Sequence, residues 1–214
     1  MIVKLRVAYN APVVLTFAIL AAIVTCLPQS MRQHYFASHG QIVDWTSYTG
    51  MVTQVLGHAN WQHYIGNFTM ILLIGPILEE RHGSIGLLFM ILITAVVSGV
   101  VGLALGSASY GASGVVFMMI VLASTANIKE GEVPLTFIAI ATLYLGGEVY
   151  KAVANTNDGI SHMAHLCGGI AGAAFGFLGS RGKRAPAKGG PSLDNLGLPA
   201  ADLQVDRKRK KTIT

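Results

Sequence analysis

The chain has 214 residues, of which 52% are hydrophobic and only 12% charged, with a mean hydropathy of +0.56. Soluble domains carry about 25% charged residues, so the composition excludes an ordinary soluble enzyme and points to an integral membrane protein built as one compact bundle. The formal charge of +5 is not that of a nucleic-acid binder, because the basic residues gather in a terminal tail and do not alternate with aromatics on one face.

Six apolar segments follow one another along the chain. The first, Ala11–Leu27, is opened by Asn10 as an expected N-cap and Pro12 in an early helical position, and closed by Pro28. It lacks a small-residue cleavage site and is read as a retained span, not a removed signal peptide. The others are Trp61–Leu78, Ile85–Gly106, Val115–Ala126, Pro134–Val153 and Ile160–Gly179. None has the period-2 alternation of a barrel. The expected fold is therefore an all-α membrane protein, a bundle of six transmembrane helices over residues 1–180. Residues 181–214, rich in Gly, Pro, Ala and charge and ending in Arg207-Lys208-Arg209-Lys210-Lys211, read as a disordered basic tail that holds the orientation or meets anionic headgroups.

Between the first two spans lies a half-polar connection, Gln29–Asn60, with Tyr35, Phe36, Trp45 and Tyr48. It has too few consecutive apolar residues to cross and is expected to lie in the interface. With the amino terminus inside, thirteen of the fifteen Lys and Arg residues fall on the cytoplasmic side and only Arg32 and Lys151 on the other, so both termini are expected in the cytoplasm. Cys26 and Cys167 both fall in apolar spans and read as buried free thiols, with no CxxC or metal spacing.

That orientation brings Gly111-Ala112-Ser113-Gly114, at the head of the fourth span, towards the outer face. From Ser113 to Ile128 a helix rises roughly 22 Å against a hydrocarbon core of about 30 Å, so the fourth helix is short and its start recessed. Irregular backbone at such depth needs a water-filled cavity or protein around it. Ser113 is read as a nucleophile there, against the plainer reading of a GxSG as a close-packing motif.

Two histidine-bearing stretches bear on that reading. His58, His63 and Asn67 stand at the entrance to the second span, and His63 and Asn67, four apart, share one helical face. Asn67 serves either an inter-helix hydrogen bond or, with His63 and the Ser113 N–H, an oxyanion. A metal site is disfavoured because no Asp, Glu or Cys accompanies these histidines at ligand spacing. His165 lies early in the sixth span, before Gly168, Gly172 and Gly176. That stripe permits close approach to a neighbouring helix, and if the neighbour is the fourth, His165 reaches Ser113 as its base. His162 is the alternative base. Neither acid of the region, Glu148 with Lys151 as its partner or Asp158, is placed beside His165 by sequence, so the arrangement is a dyad. Phe117, one turn after Ser113, is expected to pack on the imidazole.

Taken together, His58, His63 and Asn67 heading the second helix, Leu78-Glu79-Glu80-Arg81-His82-Gly83-Ser84 after it, Gly111-Ala112-Ser113-Gly114 and Ala164-His165 with Gly168 resemble the rhomboid family of intramembrane serine proteases in its six-helix form, over Ala11–Gly179. The resemblance implies Ser113 as nucleophile and His165 as base. It implies an oxyanion site of His63, Asn67 and the Ser113 backbone beside Gly111, with His58 bracing the loop and Glu79 structural. It also implies single-pass transmembrane substrates cut near the outer end of a helix, a lipid bilayer as environment and no cofactor or metal. The minimal six-helix build favours a prokaryotic plasma membrane. Two features depart from the family pattern: Phe117 stands where many members have Tyr, and the first loop lacks the common Trp-Arg pair. The rival readings are a catalytically silent relative that binds membrane clients and a transporter with intramembrane histidines. No inverted repeat supports the transporter.

Overall fold

In the computed structural model, which describes residues 9–125, 133, 135–146, 149–150 and 162–182, the regular elements are helical. No strand occurs among the described residues, only an isolated antiparallel bridge between Ser38 and Ser109. In chain order the helices are α1 (Pro12–Thr25), α2 (Gln29–Tyr35), α3 (Trp45–Thr53) with a 3₁₀ turn over Gln54–Leu56, α4 (Trp61–His82), α5 (Ser84–Ala104), α6 (Ser113–Ser124), α7 (Leu135–Ile140) running on as a π-helical turn (Ala141–Leu145), and α8 (His162–Gly182). Glu148, Lys151, Asp158, Lys129 and the basic tail beyond Gly182 lie outside the described residues.

The centre is α6. Its 12 residues rise about 18 Å, and Gly114, Val115, Val116 and Met118 to Leu122 are all buried. A helix apolar on every side belongs inside a bundle. Against it pack α4, with Phe68 and Ile71, and α5, with Leu87, Ile91 and Ala95, and Val14, Ala18 and Ala21 of α1 join the same core from the side of α4. Phe17 and Phe68 meet edge to face at 5.1 Å between ring centroids. Among the described residues α5 is the one helix long and apolar enough to cross a membrane, while α1 and α6 are shorter apolar helices. The helix α6 starts two residues before the expected Val115, so Ser113 is its first residue.

Caps fix the helix ends. The α4 start is closed by the Asn60 side chain, which accepts from the His63 N–H at 2.9 Å, and its end by Gly83 at φ +77°, a left-handed cap suited to glycine. Within the connection, Asp44 accepts from the Thr46 N–H at 2.7 Å while Ser47 Oγ reaches back to the Asp44 N–H at 3.5 Å, forming a capping box for α3. Tyr35, Trp45 and Tyr48 of this segment are exposed.

Two expectations are corrected. Asn10 does not cap α1: the N-cap is Ala11, with no side-chain bond of its own. The first-turn N–H groups of Val13 and Val14 instead donate to the two carboxylate oxygens of Glu79, each at 3.0 Å, and Ser84 Oγ donates to Glu79 at 2.7 Å. A carboxylate at a helix N-terminus gains from the dipole as well as from the bonds. Both cysteines are free, but Cys26 is exposed and only Cys167 is buried, because Cys26 forms the C-cap of α1 and turns away from the core.

Candidate active site

The loop before α6 is held on two sides. Gly111 has φ +135°, open to glycine and strained for other residues, and its N–H donates to the Gln54 carbonyl at 2.9 Å. The next N–H, of Ala112, donates to His58 Nε2 at 3.3 Å. Ser113 follows, half-buried. Its N–H is the first of α6 and belongs to the set that a helix leaves without intrahelical partners.

His58 is fully buried. Since Nε2 accepts from Ala112, the proton sits on Nδ1, which faces the Leu56 carbonyl at 3.2 Å. Its own carbonyl accepts from Arg32 Nη1 at 2.6 Å. Burial first, then the charge of neighbouring His63, pushes its pKa from the ordinary 6.5 down to about 4. The ring is therefore neutral at physiological pH, as an acceptor for a backbone N–H must be. The His58 ring is thus hydrogen-bonded to the backbone of the loop before α6.

His63 and Asn67 arrive on adjacent turns of α4. His63 Nδ1 accepts from the Ala59 N–H at 3.5 Å, which leaves the other ring nitrogen as the donor. A Cβ built on Gly111 would stand 2.9 Å from that His63 Nε2 and 3.7 Å from Asn67 Nδ2. Both groups thus converge on Gly111, two residues before Ser113. Asn67 Nδ2 is buried with no hydrogen-bond partner among the described residues. A buried amide donor left so is rare in a folded protein.

The glycine stripe of α8 faces α6, as the spacing required for His165 to approach Ser113. A Cβ on Gly168 would strike the Gly114 carbonyl, one on Gly172 the Met118 carbonyl, and one on Gly176 the Thr125 side chain. A Cβ on Gly114 would in turn sit 3.0 Å from the Ala164 carbonyl oxygen. Next to Ala164, buried His165 stacks on Phe117 at 4.3 Å between ring centroids and 10° between planes. His162, also buried, stands one turn away with its ring 6.5 Å from that of His165. Nucleophile and base candidates thus sit on two helices in backbone contact. Among the described residues, no group of three or more His, Cys, Asp or Glu side chains gathers as a metal site.

Sequence reasoning missed Gln54 and Arg32. Their contacts join positions 26 to 57 residues apart, and no periodicity marks them.

The family model of the rhomboid domain matches residues 45–182. Rhomboid-related protein 1 of Caenorhabditis elegans is 30% identical over 132 residues, covering 56% of this chain and 37% of that protein. The chain thus spans little more than a third of this relative's length. The matched stretch holds α3 through α8 and every residue described around Gly111, and such a domain makes the protein an integral membrane one. The chain belongs to the rhomboid family.

Proposed function

We propose that the protein is an intramembrane serine endopeptidase that cuts single-pass transmembrane substrates near the outer membrane face. The observation that carries the reading is the convergence of His63 Nε2 and the buried Asn67 amide, which has no hydrogen-bond partner among the described residues, on Gly111, two residues before the first residue of α6. Donors gathered at one point suit a negative charge that exists only during reaction. His165 takes the Ser113 proton as the hydroxyl attacks the scissile carbonyl, and the oxyanion accepts hydrogen bonds from His63, Asn67 and the Ser113 N–H. The protonated His165 then gives its proton to the leaving amine, and water entering from the outer side releases the acyl-enzyme. Phe117 keeps the imidazole plane fixed through both transfers. In this reading six spans cross the bilayer, both termini are cytoplasmic, the membrane is a prokaryotic plasma membrane and no cofactor takes part.

The test uses purified protein and a panel of single-pass substrates with small residues near the outer end of the helix. Ser113→Ala and His165→Ala are each expected to abolish cleavage while leaving membrane insertion intact, and a fluorophosphonate is expected to label Ser113. Asn67→Ala is expected to lower kcat by about 10²–10³. Full activity in either dyad variant overturns the assignment. An unlabelled Ser113 in intact protein favours a silent, client-binding relative.

A further inference from the structure

Gln54 lies in the 3₁₀ turn after α3 and is 3% exposed. Every polar atom it has is engaged. Its N–H donates to the Gly50 carbonyl. Its own carbonyl accepts from the Gly57 N–H at 3.1 Å and the Gly111 N–H at 2.9 Å. Its side-chain nitrogen donates to the Met51 and Ala95 carbonyls, each at 3.1 Å. Its side-chain oxygen accepts from Ser109 Oγ at 3.0 Å. The amide orientation follows from this set, because a flip would turn its oxygen against two carbonyls. Ser109 is tied further to Ser38, which is fully buried: the two backbones exchange N–H···O bonds of 2.8 and 3.2 Å, and their hydroxyls lie 3.2 Å apart. One residue therefore links α5, the end of the first connection and the loop that delivers Ser113.

We infer that Gln54 is a positioning residue for the proposed hydrolysis, holding two anchor points of the loop before α6 (the Ser109 hydroxyl and the Gly111 N–H) at a fixed distance from α5. The inference rests on the proteolytic reading for its kinetic consequence, and on geometry alone for its structural one. Gln54 touches no reacting atom. It acts through Gly111, on which His63 and Asn67 converge and two residues after which Ser113 opens α6. A shift of about 1 Å in such a group costs on the order of 10²-fold in rate, whereas binding of a transmembrane helix along the bundle does not depend on it.

The deciding variant is Gln54→Glu. It keeps the shape but replaces the donor facing two carbonyls with an acceptor, so the network cannot close. Gln54→Leu and Ser109→Ala are companions that remove the side-chain network and one bond of it. In the full chain in detergent micelles, Gln54→Glu is expected to lower kcat at least about tenfold with KM within about twofold of wild type. Ser109→Ala is expected to lower kcat less. Amide exchange followed by mass spectrometry is expected to speed up in the segment 105–112 and to stay unchanged in α5 and α8. Exchange decides the inference even if the wild type neither cleaves nor labels, in which case the proteolytic reading fails by itself. Wild-type exchange over 105–112 in both Gln54 variants overturns the inference, as does a loss confined to KM.

Discussion

Helices α5 and α6 are neighbours of similar composition and opposite fate. The 21 residues of α5 leave Ile85, Phe89, Ile93 and Val100 heavily exposed on one side while Leu87, Ile91 and Ala95 are buried on the other. The 12 residues of α6 bury nearly everything. In water an apolar face like that of α5 would mark a docking surface; in a membrane protein it is the face that meets lipid tails. The difference teaches that length and burial, not hydrophobicity, separate a helix able to cross a membrane from a short one enclosed by its neighbours. Ser113 is the residue with which the enclosed helix starts.

The sharpest way to break the contrast is to put bulk where α6 and α8 touch. Gly168→Leu drives a side chain into the Gly114 carbonyl and is expected to abolish cleavage and destabilise the bundle by several kcal/mol, about the cost of gross overpacking or more. Ile93→Leu on the exposed side of α5 is expected to change stability by under about 0.5 kcal/mol. Thermal denaturation in micelles compares the two, and equal effects would show that the α6–α8 contact is dispensable.

A second intervention moves to the loop that leads into α6. His58 has a folded pKa of about 4 against an ordinary 6.5, so folding disfavours its protonation. Above pH 6.5 it subtracts nothing. As pH falls the unfolded chain gains the proton first, and the loss grows until it levels off below about pH 4 at roughly 3 kcal/mol. His58→Gln is expected to flatten that limb of the stability–pH curve, measured by denaturant titration between pH 4 and 8. An unchanged curve would mean that another group carries the acid sensitivity.

A smaller effect than at His58 is expected at Glu79. Glu79→Gln keeps one acceptor oxygen and loses the charge that serves the α1 N-terminus, at about 2 kcal/mol. Because Ser113 is held from the other end of α4, cleavage at low temperature is expected to stay near that of the wild type while the melting temperature falls. A parallel loss of kcat would mean that the two ends are coupled.

What could be read from the chain is what repeats or punctuates. Apolar runs mark α1, α4, α5 and α6, the interval of four between Gly168, Gly172 and Gly176 marks the face of α8 that meets α6, and Phe117, one turn after Ser113, stacks on His165. Contacts between distant positions were not legible. Asn10 had the right chemistry for a cap, yet Glu79 arrives from 66 residues away and takes the site. Gln54 looked like any polar residue of a loop, because the Ser109 hydroxyl and the Ala95 carbonyl that use it lie 55 and 41 positions on. Helices α2 and α3 stayed hidden in the connection for a different reason: they are short, and mixed polarity blurs their period.

The carboxylate clasp on α1 also has a consequence in time. Its two halves leave the ribosome 66 residues apart, which at about 5–20 residues per second is a delay of roughly 3–13 s. Throughout that interval the first helix stands in the nascent chain with its opening turn unfinished. Its final seating must wait for the end of α4, which carries Glu79, to be synthesised.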